Sequence, residues 1–435
     1  MSRSAAARTP FWFRVLKTWA RSAAAVFYHP VETTGTRPRA SGSPTILAAN
    51  HSNALGDVAL VVAKMPRFPR FLAASSWWNR RSARILFRAG GVLPVHRASE
   101  GNGTAGNEAT FRDCHAALAL GEHVVIFPEG EMGAGAELLP VKTGAARLGL
   151  SAAAAGVDGV VIVPVGLAYE QRGRFRSSAE VHFGEPIEMT GWADAYRADP
   201  RQAVRAVTDL LAARLAEAAV AGGKHGAYTV TRRVAAIALA ARADATGRHA
   251  SIAAQNALAR RLAAALDSMP SARRHETLRS LEQVATAHAD QLERLGFDGS
   301  QSLTAPPPVG ARDVAEVIAL APAARVGAVA NAPVLLGALA VGRRASGEGW
   351  QATAKGVSGS FLLPLTWATE YAVLNHRWGR RRAVSLTALG AVSGFAALRV
   401  LDRARRWRRT ARTADVLRTH EAEVAERGEA APSWA

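Results

Sequence analysis

"ILAANHSNALGDVAL", residues 46–60, runs from an apolar segment through a polar turn into a second apolar segment. The first segment predicts a buried strand ending on Asn50-His51, and the segment after the turn predicts a helix. Strand, loop and helix in that order are the unit from which parallel α/β sheets are assembled. In such sheets functional side chains gather beyond the strand ends. His51 stands at that position, and Asp57 follows after five intervening residues. The stretch has two readings: a catalytic histidine with an orienting carboxylate, or a strand-to-helix loop with a polar rim.

Outward from this loop the pattern repeats. "HVVIFPEG" (123–130), "GVVIVPVGLAY" (159–169) and "AEVHFGEPI" (179–187) read as strands. "EATFRDCHAALALG" (108–121) and "KTGAARLGLSAAAAG" (142–156) read as helices between them. Residues 35–192 are therefore expected to form an α/β domain with a mainly parallel central sheet flanked by helices. His51, Glu129 and Tyr169 all lie near strand ends in this reading.

The flanking regions differ in character. Residues 1–34 contain an amphipathic helix in which Phe11, Trp12, Val15, Leu16 and Trp19 share a face opposite Arg14, Lys17 and Arg21. Such a helix either lies in a bilayer interface or docks on its own domain. Residues 193–303 are rich in Ala, Arg, Leu and Glu at helical period, and "TAPPPVG" (304–310) marks a boundary. Within 304–412 three stretches carry no charge: 326–342, 356–369 and 383–398. Each falls short of the ~20 residues of a simple spanning helix. Arg380–Arg382 and "RARRWRR" (403–409) flank the last. Apolar helices with arginine flanks predict a membrane-seated hairpin whose basic ends lie on the cytoplasmic face. The alternative is a buried helical pair in a soluble domain. Residues 413–435 are expected to be a solvated tail.

Composition narrows the chemistry. The chain has 435 residues, a formal net charge of +19 and a single cysteine, Cys114. One cysteine excludes an internal disulfide framework and a Cys-based zinc site. The basic excess attracts polyanions, among them anionic lipid and phosphorylated substrates. Nucleic acid is not an expected partner, because the aromatic strand motifs of RNA-binding sheets are absent. His51, Asp57, His96 and His115 are scattered without a compact ligand motif, so no metal is expected. Arg14, Lys17 and Arg21 interrupt the first apolar segment, which does not read as a cleavable signal.

Further blocks follow the His-to-Asp loop in order. "GGVLPVHR" places Gly91, Pro94 and Arg97; "VVIFPEG" places Phe127, Pro128, Glu129 and Gly130; "VIVPVGLAY" places Pro164 in a strand. Together these blocks resemble the PlsC-type glycerolipid acyltransferases over about residues 35–190, and the remainder is similar, more loosely, to the larger fungal-type glycerol-3-phosphate/dihydroxyacetone-phosphate acyltransferases. The resemblance implies an O-acyltransferase of phospholipid biosynthesis, acting on glycerol-3-phosphate or lysophosphatidic acid; the alternatives are an acyltransferase on another lipid alcohol and a non-catalytic basic lipid-binding protein. It implies acyl-CoA or acyl-carrier protein as co-substrate, membrane lipids as partners and no resident cofactor. His51 would be the general base and Asp57 its orienting acid. Arg97 would hold the substrate phosphate, and Glu129 would accept a glycerol hydroxyl or hold Arg97. Gly91, Phe127 and Gly130 would line the substrate site.

Two departures from the family pattern stand out. The family usually has four residues between His and Asp; here there are five, so a wider loop must bring Asp57 back, with Gly56 expected to supply the backbone freedom. After Glu129-Gly130 the family commonly carries a small polar or basic series. Here Glu131-Met132-Gly133 follows, and Lys142 is the candidate for the missing charge.

Overall fold

The computed structural model describes residues 11–38, 43–67, 69–79, 81–96, 107–133, 137–221, 227–246, 251–294 and 309–426. They divide into two units, residues 1–229 with 346–353, and residues 230–345 with 354–435.

The first unit is built on eight strands: β1 (Tyr28–Gly35), β2 (Thr45–Ala49), β3 (Arg70–Ala74), β4 (Leu93–Val95), β5 (His123–Ile126), β6 (Val161–Tyr169), β7 (Ser177–Phe183) and β8 (Ile187–Glu188). Their order is β1-β7-β6-β2-β5-β3-β4, with β8 also on β6. β2 is parallel to both β5 and β6, and β3 is parallel to β5 and β4. This confirms the mainly parallel sheet. The stretch 179–187, expected as one strand, divides at Gly184 into β7 and β8, both antiparallel to β6. The link from Tyr169 to Ser177 is too short for a crossover helix, so β7 can only fold back.

β2 is buried along its whole length, and its alternating side chains feed two cores. Leu47 and Ala49 pack with Ala20 and Ala24 of α1 (Phe11–Phe27) and with Leu60 and Val61 of α2 (Ala54–Lys64). Ile46 and Ala48 face the other way. They meet Cys114 and Leu118 of α4 (Asn107–Ala119), Leu148 of α5 (Gly144–Ala154), and Val207 and Leu211 of α7 (Pro200–Ala219). Of the remaining helices, α3 (Arg81–Ala89) joins β3 to β4 and α6 (Ala193–Ala198) precedes α7. Gly166 of β6 lies against the backbone end of α7, where an added Cβ would meet the Ala218 carbonyl at 1.9 Å.

For α1 the sequence left two readings, and the structure shows the docked one. Phe13, Ala20 and Ala24 dock it on the domain, while Phe11, Val15 and Trp19 face outward.

The second unit is helical: α8 (Ala227–Thr246, from Val230), α9 (Ile252–Asp267), α10 (Ser271–Arg294), α11 (Ala311–Arg343), α12 (Glu348–Trp378, from Ala354) and α13 (Arg380–Glu426). α11 and α13 meet backbone to backbone: a Cβ on Gly327 would lie 2.1 Å from the Ser393 carbonyl. Asn331 bonds the Gly390 carbonyl at 3.2 Å and accepts the Trp367 indole N–H at 3.2 Å, so one amide ties three helices. α11 and the Arg380–Arg408 part of α13 are long and apolar enough to cross a bilayer. Counting uncharged residues underestimated both, because each helix continues into its charged ends. The tail expected from residue 413 is helical as far as Glu426. Most of the "TAPPPVG" boundary lies outside the described residues.

Candidate active site

β2 ends at Ala49, and Asn50 continues the pairing with β6 through its backbone N–H, which donates to the Val165 carbonyl at 3.3 Å, and through its side chain. Its amide donates to the Leu167 carbonyl at 3.1 Å and accepts the Leu167 N–H at 2.7 Å. Beyond Asn50 the chain turns, and His51 leaves the sheet. Asp57 lies in the first turn of α2, fully buried.

The extra loop residue is absorbed at Ala54, whose φ of 39° is in the left-handed region. Gly56, expected to supply the unusual backbone, has no positive φ. Its lack of a side chain serves space instead, since an added Cβ would press on the Asn53 amide at 3.0 Å. Asn53 in turn donates to the Tyr28 hydroxyl at 2.6 Å.

Asp57 accepts four hydrogen bonds. Oδ2 takes the His51 Nδ1–H at 2.9 Å and the backbone N–H groups of Ser52 and Asn53 at 2.8 and 2.7 Å. Oδ1 takes the Tyr169 hydroxyl at 2.5 Å. A buried carboxylate is costly unless its lone pairs are satisfied, and here donors meet both oxygens. Burial first, and then the Asp57 charge, raise the Tyr169 phenol well above its ordinary value, so it stays a donor.

With an ionised carboxylate at Nδ1, the proton of a neutral His51 sits there and Nε2 presents its lone pair. One face of the imidazole and the His51 backbone are held as well. Phe127 stacks on it with centroids 4.1 Å apart and planes at 22°. The His51 carbonyl accepts from Gly133 N at 2.8 Å. The His51 N–H donates to Glu129 Oε1 at 2.6 Å, while Glu129 Oε2 accepts from Leu139 N at 2.8 Å. Glu129 thus spans two backbone segments. Burial raises its carboxyl, and the Leu139 and His51 N–H groups oppose that rise. The side chain of His51 remains 21% exposed.

The other predicted residues divide. Gly130 (φ 74°) and Lys142 come together: a Cβ on Gly130 would meet Lys142 Nζ at 2.8 Å, and Lys142 N bonds the Pro128 carbonyl at 2.8 Å. Lys142 therefore lies across the Glu-Gly turn despite its distance in sequence. Gly91 (φ 63°) has the Phe13 ring and Arg70 as nearest neighbours, so its lack of a Cβ accommodates α1. Arg97 lies outside the described residues. His115 bonds Ser151 at 3.0 Å, and the His96 backbone is held by Asn107. Burial lowers His115 and pushes the Cys114 thiol up to about 12.

Sequence reasoning gave no role to Tyr169, Asn50, Gly133 or the segment 346–353. In that segment Thr353 Oγ1 accepts the Leu55 N–H at 3.1 Å. Gly349 lies so close to the loop that an added Cβ would meet the Ser52 carbonyl at 2.8 Å. No spacing signal links these residues to a loop almost three hundred positions earlier.

A comparison with family-wide sequence patterns matches residues 30–168 to the family described as Acyltransferase. Residues 30–168 are an acyltransferase-family domain. The resemblance carried by the ordered motif blocks holds for this domain. Its sequence is similar to glycerol-3-phosphate O-acyltransferase 2 of Saccharomyces cerevisiae, 40% identical over 100 residues, covering 22% of this chain and 14% of the yeast protein. Glycerol-3-phosphate O-acyltransferase 1 of the same yeast is 39% identical over 95 residues, covering 22% and 12%. The matched part of the acyltransferase domain thus corresponds to a small fraction of each relative. Among solved structures, the 1-acyl-sn-glycerophosphate acyltransferase PlsC of Thermotoga maritima aligns at 18% identity and a TM-score of 0.32, over 46% of this chain and 80% of that one.

Proposed function

We propose that the protein transfers a fatty acyl group from a thioester, acyl-CoA or acyl-carrier protein, to a hydroxyl of glycerol-3-phosphate or lysophosphatidic acid. The observation that carries this reading is the His51–Asp57 pair, locked by Phe127 and Glu129 and presenting Nε2, inside an acyltransferase-family domain. An alcohol is a weak nucleophile at neutral pH, so a base must take its proton as it attacks. His51 Nε2 accepts the hydroxyl proton while the oxygen bonds to the thioester carbonyl carbon. Asp57 stabilises the resulting imidazolium. The tetrahedral intermediate collapses with cleavage of the carbon–sulfur bond, and the thiolate leaves with the proton held on Nε2. Ester and thiol are the products, and no acyl-enzyme forms.

Lys142 beside Gly130, with Arg97, supplies positive charge for the acceptor phosphate. Phe127 and Gly130 border the substrate, and Gly91 supports the turn before β4. The outward apolar residues of α11 and α13, with the arginines that flank them, seat the protein in a membrane with its basic ends at the cytoplasmic face.

Full-length protein in lipid vesicles, given radiolabelled acyl-CoA or acyl-carrier protein with each acceptor in turn, tests the reading. Label is expected in lysophosphatidate or phosphatidate. Label only in free fatty acid would contradict it, because that product means hydrolysis.

A further inference from the structure

We propose that Tyr169 is a positioning residue for acyl transfer, its phenol bound to Asp57 Oδ1 fixing the rotation of the carboxylate and moderating its pull on the His51 imidazole. The inference rests on the reading of His51 as the base.

The two oxygens of Asp57 are unequally engaged. Oδ2 gathers the imidazole and two loop N–H groups, whereas the one partner found at Oδ1 among the described residues is the phenol. The torsion that turns a carboxylate about its Cβ–Cγ bond is soft and roughly two-fold. The donors on Oδ2 gather at one end of the carboxylate, and a donor on the far oxygen adds the second point that holds the turn. Tyr169 ends β6, the strand paired with β2, so the backbone that delivers the phenol is registered against the one that delivers His51 (Ala49 pairs with Val165). Its ring is buried and packed against Tyr28, with centroids 5.2 Å apart. Most buried tyrosines find some acceptor for their hydroxyl. What sets this one apart is that its acceptor is the carboxylate that orients the base.

A phenol that donates to Asp57 withdraws charge from the oxygen facing Nδ1. Its removal makes the carboxylate more basic, stabilises the imidazolium and raises the pH at which His51 becomes available as a base. Among the described residues, the titratable and charged groups facing the pair include Glu129 after β5, Tyr28 on β1, Tyr169 on β6 and Arg172 just beyond it. The Arg172 guanidinium lies 3.4 Å from the Ser52 carbonyl. A change confined to the phenol leaves the others in place.

The experiment compares wild type, Tyr169→Phe and protein carrying 3-fluorotyrosine at position 169, each full length in vesicles, with His51→Ala in parallel. Tyr169→Phe is expected to lower kcat roughly tenfold with KM nearly constant, and to move the acid limb of the kcat/KM profile up by about half a pH unit. Fluorotyrosine is a stronger donor of nearly unchanged size, so it is expected to move that limb down. It keeps the test alive if the Phe variant does not fold. In an Asp57→Ala background the Phe substitution is expected to have no further effect. A wild-type profile in both Tyr169 variants, or an equal loss of activity in the Asp57→Ala background, would overturn the proposal. If His51→Ala were itself fully active, the base assignment would have failed instead.

Discussion

At the scale of single residues, this site depends on acceptors and donors that match one for one. Glu129 uses both oxygens on backbone N–H groups. Glu129→Gln replaces one acceptor with a donor and sets it against a buried N–H. The expected cost is about 1–3 kcal/mol of stability, with a fall in kcat, read by thermal melting and initial rates. The raised carboxyl sets the pH dependence. A group whose pKa is higher folded than unfolded contributes most below its unfolded value, and that contribution fades as pH rises through the folded one. The advantage of wild type over Glu129→Gln should therefore shrink as pH climbs from the ordinary glutamate range. Lys142 makes a different prediction. Lys142→Ala should raise KM for a phosphorylated acceptor by about tenfold with kcat little changed, as expected for loss of binding made equally in ground and transition states.

At the scale of elements, strand ends were legible because β-branched runs stop abruptly at His51 and at the Phe-Pro-Glu-Gly turn. The wider His-to-Asp spacing announced an unusual loop but did not say how it closes. Glycine was the natural suspect for the strained position, yet Ala54 takes it and Gly56 makes room for Asn53. Backbone conformation is decided by what packs around a residue, and that packing is invisible in a spacing. The same holds for Tyr169, which reaches Asp57 across 112 positions of chain. Lys142 was suspected on charge alone, and only the fold brings it against Gly130. Thr353 caps a helix far upstream, where the side chain of the α2 N-cap residue Asn53 goes to the Tyr28 hydroxyl and makes no capping bond. Thr353→Val should cost about 1 kcal/mol and slow transfer, whereas Gly349→Val should slow it more by displacing Ser52. Rates alongside melting curves would separate the two effects.

At the scale of the whole chain, the sequence announced two kinds of surface: an α/β domain with a polar site, and apolar helices with arginine flanks. The lengths of those helices were less legible, because charged ends belong to a helix as much as its uncharged middle does. Val329, Leu336, Val392 and Phe395 are large apolar residues facing outward on α11 and α13. Replacing Val329 and Val392 by Arg should shift the protein from the vesicle fraction to the soluble fraction in a flotation assay. Unchanged flotation would remove these helices as the membrane seat. The central claim is chemical, and single-turnover acyl transfer by His51→Ala measures it most directly, with wild-type folding verified by circular dichroism. Loss of a general base predicts a rate lower by about 10²–10⁴-fold, with acyl-CoA binding retained. A His51→Ala protein that forms product at the wild-type rate would contradict the account.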